Sequence, residues 1–190
     1  MGTRSLIAIK KDNEYKLAQY CQFDGYPSYM GRNILEFLCS HNIEKLKQGV
    51  DHLIMISPET VKQYWKDIGV EGTFTDMQTS NKFYKLHPTL SREMGYKILD
   101  CIYNSNEPVE TLDDLDFAKD GLFCEWGYVI DFDENTFEVY KGKNEELTKK
   151  DRFYFDGYCK DGYYPIKIEK SYSLTNLPYV DDFLKDLDEE

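Results

Sequence analysis

The chain has 190 residues, with 23 basic against 35 acidic side chains and a formal net charge of −12. That balance excludes a general nucleic-acid binder, whose affinity comes from lysines and arginines neutralising phosphates. It also speaks against docking on an anionic membrane surface. With 16 Tyr, 11 Phe and 2 Trp, many rings are expected half-buried at the rim of a core, because a tyrosine hydroxyl still needs a partner.

In chain order, Arg4 to Lys10 alternates as a first strand. Lys11-Asp12-Asn13-Glu14 is a polar turn, and Tyr15 to Phe23 returns as its antiparallel mate. In that second strand Leu17, Gln19, Cys21 and Phe23 share one face, and Lys16, Ala18, Tyr20 and Gln22 the other. Asp24-Gly25-Tyr26-Pro27 is a tight turn, followed by a helix over 29–40 with Ile34, Leu35 and Leu38 at helical spacing. A second short helix is expected over 43–50; the apolar run 53–56 carries no assignment. Ser57-Pro58-Glu59 starts a helix with an N-cap serine and a first-turn proline, and Gly69 ends it.

Residues 70–87 are weakly patterned and read as a surface loop with a turn of helix. From Leu90 or Ser91 a helix is expected to Tyr103, with Met94, Ile98, Leu99 and Ile102 on one face. Residues 107–120 read as an acidic loop with a short helix near Leu112 to Phe117. The period then returns to two: Leu122 to Asp131 and Thr136 to Lys141 flank a second hairpin turn at 132–135. After a charged connector over 142–152, a last strand is expected from Tyr163 to Tyr172. Leu177-Pro178 precedes a short helix in the acidic tail, about 181–190. The order predicts a single α+β domain over 1–190, with a largely antiparallel sheet of about five strands and helices packed on one face.

Two echoes recur. Met30-Gly31-x-x-Ile34-Leu35-x-x-Leu38 matches Met94-Gly95-x-x-Ile98-Leu99-x-x-Ile102, which reads as two similar helices packing on each other or on the sheet, the glycines allowing close approach. Asp-Gly-Tyr occurs at 24–26, 156–158 and 161–163, where Asp-Gly is a turn signal.

Two stretches offer candidate sites. Arg4, Gln22, Asp24 and Tyr26 fall at one end of the first hairpin. They read either as an anion-binding site, helped by backbone amides near Tyr29 and Met30, or as an Arg4–Asp24 pair that pins the turn. In Phe123 to Asp131, Trp126 and Tyr128 read either as a groove that stacks an aromatic ligand or as sheet-face core. Were the chain an enzyme, Asp24, Glu125 and Asp131 are its acid/base candidates. P-loop, GxGxxG, GxSxG and HExxH motifs are absent, and no cofactor is expected. The three histidines read as solvated or capping residues. Five cysteines without a CxxC pair read as reduced thiols, mostly in the core, not a disulfide frame or metal site. No run of about 18 apolar residues and no signal-peptide pattern is present, so a cytoplasmic setting is expected.

The segments MGTR at the start, Gln19-Tyr20-x-Gln22-Phe23-Asp24-Gly25-Tyr26-Pro27 and Gly31-x-x-Ile34-Leu35 resemble a family of small proteins from bacteriophages, bacteria and some fungi. Leu90-Ser91-Arg92-Glu93-x-Gly95 and Trp126-x-Tyr128-x-x-Asp131 look similar too. The resemblance implies a shared fold and a mobile-element setting, and carries no activity with it. The expected role is a non-enzymatic binding protein, a phage or mobile-element accessory or counter-defence factor. It would engage a host protein or sequester a small anionic, nucleotide-like ligand, without contacting nucleic acid or membrane. The alternatives are a hydrolase-type enzyme with Arg4 holding an anionic substrate, and an acidic nucleic-acid mimic using the tail.

Overall fold

The computed structural model describes residues 2–70, 75–146, 148–156 and 158–188. A five-stranded sheet runs in the order β2-β1-β5-β6-β7, built from β1 (Ser5–Lys11), β2 (Glu14–Cys21), β5 (Trp126–Asp131), β6 (Thr136–Lys141) and β7 (Lys167–Ser173). β3 (Leu53–Met55) and β4 (Val109–Thr111) form a small parallel pair apart from it. The α-helices are α1 (Arg32–Ser40), α2 (Ile43–Gly49), α3 (Pro58–Asp67), α4 (Met77–Leu86), α5 (Ile98–Asn104) and α6 (Val180–Asp186).

The two hairpins form for local reasons. Asp12 and Asn13 both take positive φ, 58° and 60°, so a two-residue turn whose twist matches the strands closes β1 onto β2. At the second hairpin the Asp131 Oδ1 accepts from the backbone N–H of Asp133 (2.9 Å) and Glu134 (3.0 Å). The Asp133 carboxylate then accepts from the N–H groups of Asp12 and Asn13, each at 2.8 Å, so one turn caps the other. The hairpins meet through β1 and β5, which pair in parallel; the other three ladders are antiparallel. The α+β architecture follows, with a sheet that is mixed at one joint.

Strand alternation sorts the core into two layers. Ile7, Ile9, Leu17, Cys21, Trp126, Tyr128, Ile130, Phe137 and Val139 face the helices, against Ile34, Leu35, Ile98, Ile102 and Phe183. Leu6, Ala8, Ala18, Val129 and Tyr140 face the other way, under Ala118 from a 3-10 helix (Leu115–Lys119) and Phe153 and Ile166 from irregular segments. The α-helices therefore cover one face and a 3-10 helix with loops the other, and the sheet is buried on both sides.

The loop-covered face holds a buried ionic cluster. Asp131 is fully buried. Arg152 donates from one terminal nitrogen to Asp131 Oδ2 (2.7 Å) and Glu138 Oε1 (2.9 Å), and from Nε to the Tyr140 hydroxyl (2.9 Å). The Tyr140 hydroxyl in turn donates to Glu138 Oε2 at 2.6 Å. Every charge has an opposite partner and oriented hydrogen bonds, the condition under which buried ions are tolerated.

Several elements depart from the sequence reading. Residues 77–86 are helical, not loop: Asp76 caps α4 by accepting from the Thr79 N–H at 2.8 Å, and Phe83 stacks on Trp65 with centroids 3.7 Å apart. The expected helix from 90 breaks into single turns at Pro88–Leu90 and Gly95–Lys97 before α5, because Gly95 sits at φ +54°, where a right-handed helix cannot continue. Gly31 and Gly95 do admit close neighbours, but these are side chains. A Cβ on Gly31 would lie 2.9 Å from both Tyr128 and Phe183, and one on Gly95 3.1 Å from the Met30 methyl. Met30 of one echo thus packs on Gly95 of the other. α3 ends as expected: Gly69 N–H bonds Lys66 O and Val70 N–H bonds Trp65 O, with Gly69 at φ +92°. The last strand starts at Lys167, later than expected. The tail is not simply solvated, since Phe183 and Leu187 anchor α6 in the core; Glu189 and Glu190, like Gly157 of the second Asp-Gly-Tyr, lie outside the described residues.

Candidate functional site

β2 is an outer strand of the sheet, yet its free edge is knitted to two loops. Ala18 O accepts from Asp114 N–H (2.9 Å), and Gln22 N–H donates to Arg92 O (3.0 Å). Tyr20 N–H donates to Asp114 Oδ2 at 3.0 Å. Between these loops, and against α3 and α4, lies a cavity of about 470 Å³ whose walls include Gln19, Tyr20, Trp65, Tyr84, Arg92 and Asp114. That volume lies in the range of small-molecule sites.

Three polar groups mark it. Gln19 is 5% exposed. Its Nε2 donates to Thr89 O at 2.9 Å, which fixes the amide orientation, since a carbonyl can only accept. The Gln19 Oε1 is then buried with no partner, a costly arrangement in an isolated chain. Asp114 is half-buried. Burial pushes its carboxyl above the usual range, against the lowering effect of the Tyr20 N–H bond and the Arg92 charge. Arg92 is exposed and forms no ion pair among the described residues. Its side chain borders a second cavity of about 870 Å³, shared with Met77, Ser80, Tyr84 and Lys85. It also borders a third of about 320 Å³, shared with Asp24, Tyr29 and Tyr96. One unpaired guanidinium stands where three hollows meet.

The residues expected at the first hairpin do not converge on a ligand. The backbones of 3 and 25 touch, Gly25 N–H donating to Thr3 O at 2.9 Å, but the side chains diverge. Arg4 turns to the loop-covered face, 3.7 Å from Glu125 and 4.5 Å above the Phe123 ring. The expected Arg4–Asp24 pairing is therefore replaced by Arg4–Glu125. Asp24, at φ 53°, lines the small cavity with Met30 and Tyr96. Gln22 lines the wide cavity and accepts from the Tyr20 hydroxyl at 2.6 Å. Tyr26 is 42% exposed and borders none of the three. The amides of Tyr29, Met30 and Gly31 all point at Tyr26 O, so they are not free for an anion.

Trp126 and Tyr128, 7% and 1% exposed, are core residues rather than groove walls; the Tyr128 hydroxyl donates to Gly25 O at 2.9 Å. None of the three hollows is lined by more than one of the acid/base candidates. Glu125 and Asp131 stand at opposite ends of β5, roughly 20 Å apart by strand rise, and both are committed to basic partners. The described His, Cys, Asp and Glu residues form no cluster able to hold a metal ion. Of the cysteines, Cys21 and Cys124 are buried, Cys101 is half-buried, and Cys39 and Cys159 are exposed; burial pushes the Cys21 thiol up to about 12. Two of the histidines cap helices, as expected: His41 closes α1 and stacks on Phe37 at 4.1 Å, and His87 closes α4 and stacks on Tyr64 at 4.4 Å. The third, His52, is half-buried, with Nδ1 3.1 Å from Ser105 O.

Sequence reasoning passed over Gln19, Arg92 and Asp114 as site residues. Gln19 carried a signal, being the one polar residue in an apolar row with Leu17 and Cys21. Arg92 and Asp114 carried none, because loops separated from β2 by about 70 and 95 positions in the chain bring them there. No helix among the described residues is long and apolar enough to cross a membrane. No protein-family model, curated protein or solved structure matches the chain. Fold and site together define an α+β domain with a ligand-sized hollow at the edge of its sheet.

Proposed function

We propose that the chain is a non-enzymatic binding protein that sequesters a small anionic, nucleotide-like ligand at the β2 edge. The observation that carries this reading is the unpaired Arg92 guanidinium at the mouth of an aromatic-walled hollow. Arginine offers a planar fork of donors matched to phosphate or carboxylate, and Trp65 and Tyr84 offer the apolar surface a planar ring needs. The family resemblance adds the setting, a phage or mobile-element accessory or counter-defence role in a host cytoplasm. None of the three hollows brings two of Asp24, Glu125 and Asp131 together, which counts against the hydrolase reading.

The test is calorimetric titration of the purified chain with nucleoside monophosphates, beside Arg92→Ala. Binding of at least one nucleotide is expected, weakened about tenfold or more in the variant, the usual worth of a charge-assisted hydrogen bond. Absence of heat with every nucleotide, in a protein that is folded by circular dichroism, would falsify the reading.

A further inference from the structure

The small hollow beside the first turn differs from the other two in its walls. It holds about 320 Å³ and is lined by Phe23, Tyr29 and Tyr96 together with Met30 and Met94. Two of the rings open to solvent, Phe23 at 46% and Tyr29 at 44% exposure. Tyr29 and Tyr96 have centroids 6.0 Å apart and planes inclined at 71°, so they form adjoining walls and not a flat stack. The face of an aromatic ring carries partial negative charge, and a thioether is soft and polarisable. Such a lining suits a cation that holds its water loosely.

The charges around the hollow point the same way. Asp24 lines it, and its carboxylate has neither a hydrogen bond nor an ion pair among the described residues. Glu93 lines it too, opposed by Lys97 and Arg92. The Arg92 charge, however, acts on Asp114 and Tyr20 at the neighbouring hollow. Two carboxylates then stand against one lysine, in a chain of net charge −12 whose field draws cations. A primary ammonium is strongly hydrated and asks for several acceptors. A methylated one sheds water easily and gains most from ring faces.

We propose that this hollow binds a methylated ammonium group, with the rings of Phe23, Tyr29 and Tyr96 against its methyls and the Asp24 carboxylate as its counter-charge. The same group occurs in a free choline-like molecule and in a trimethylated lysine side chain of a partner protein. The site is separate from the hollow at the β2 edge and does not rest on the anion reading given above.

The test is calorimetric titration of the chain with four probes: choline, dimethylbutanol (in which carbon replaces the charged nitrogen), and the blocked amides of trimethyllysine and of lysine. Choline should bind roughly tenfold more tightly than its uncharged analogue, and trimethyllysine ahead of lysine. Choline ahead of trimethyllysine assigns a free ligand; the reverse order assigns a modified protein. Tyr29→Leu, at an exposed ring, should weaken binding about threefold or more. Asp24→Asn should do the same, and because Asp24 sits at φ 53°, which asparagine also tolerates, the turn is kept. Equal binding of choline and dimethylbutanol, lysine binding as tightly as trimethyllysine, or an unchanged affinity in Asp24→Asn overturns the proposal. Silence with every probe overturns it too, and leaves nucleotide binding at the β2 edge untouched. The ranking of the probes needs no variant, so a misfolded one does not shelter the proposal.

Discussion

Asp131 shows how one residue ties chemistry to stability. Burial raises its pKa, but the N–H groups of Glu134 and Asp133 and the Arg152 guanidinium outweigh that and hold the carboxyl below its ordinary value. A folded pKa below the unfolded one means that the native state binds the proton less tightly. The stabilisation is therefore complete above the unfolded value of about 3.9 and is lost as pH falls through the lower, folded one. Asp131→Ala should cost about 1–3 kcal/mol at pH 7, because it removes one of the two carboxylates that hold Arg152 and leaves two turn amides without their acceptor; urea unfolding at pH 7 and at acid pH should show the gap from wild type narrowing on the acid side. Gly31 tests packing instead. A Cβ there meets Tyr128 and Phe183 rings at 2.9 Å, neither free to move within the core, so Gly31→Ala should destabilise by about 1–3 kcal/mol despite its better helix propensity. A neutral or stabilising result would mean that the α1–α6 contact is looser than described.

At the scale of elements, α6 is the informative one. Its acidic composition suggests a solvated end, yet Phe183 is fully buried against Phe137 and Tyr172, with centroids at 6.0 and 5.6 Å. The carboxylates Asp181, Asp182 and Asp186 are exposed, and Asp186 is tied to Lys170 and the Tyr172 hydroxyl. Phe183→Ala should cost about 3–5 kcal/mol, read as a fall in the denaturant midpoint, whereas Asp181→Asn should change stability little. α3 is the opposite case. None of its residues is fully buried, and it is held through Trp65 on Phe83, Tyr64 on His87 and the Tyr64 hydroxyl on Glu110 (2.7 Å). Amides of α3 should therefore exchange with solvent faster than those of β1 and β5, and a ligand in the adjacent cavity should slow them. Equal protection of α3 and the central strands in the free protein would contradict that account.

At the scale of the whole molecule, the parallel joint between β1 and β5 merges two hairpins from distant parts of the chain into one sheet, and one apolar layer backs both. A shared core predicts cooperative unfolding. In a Trp65→Phe variant, fluorescence of Trp126 and far-ultraviolet circular dichroism should give one urea midpoint. Two separated midpoints would mean that the hairpins are independently stable. The net charge of −12 acts at this scale as well. It repels anions in general, so the anion proposed for the β2 edge would have to be held locally by Arg92, and its affinity should fall as salt screens that charge.

The sequence by itself determined what is local. Period-two and helical spacing marked both hairpins, α1, α2 and α3. Asp12-Asn13, Ser57-Pro58 and Gly69 marked turns and ends, because those signals act over a few residues of backbone. It could not decide which side chains meet. Alternation placed Arg4 and Asp24 at the same end of a hairpin but not on the same face, and put Trp126 and Tyr128 on one face without saying what would cover it. Only the tertiary structure brought the loops around 89–92 and 112–114 to the edge of β2, joined the hairpins through β1 and β5, and left Gln19 Oε1 without a partner. Those outcomes depend on contacts between residues far apart in the chain, whose geometry is set by packing rather than by any neighbouring residue.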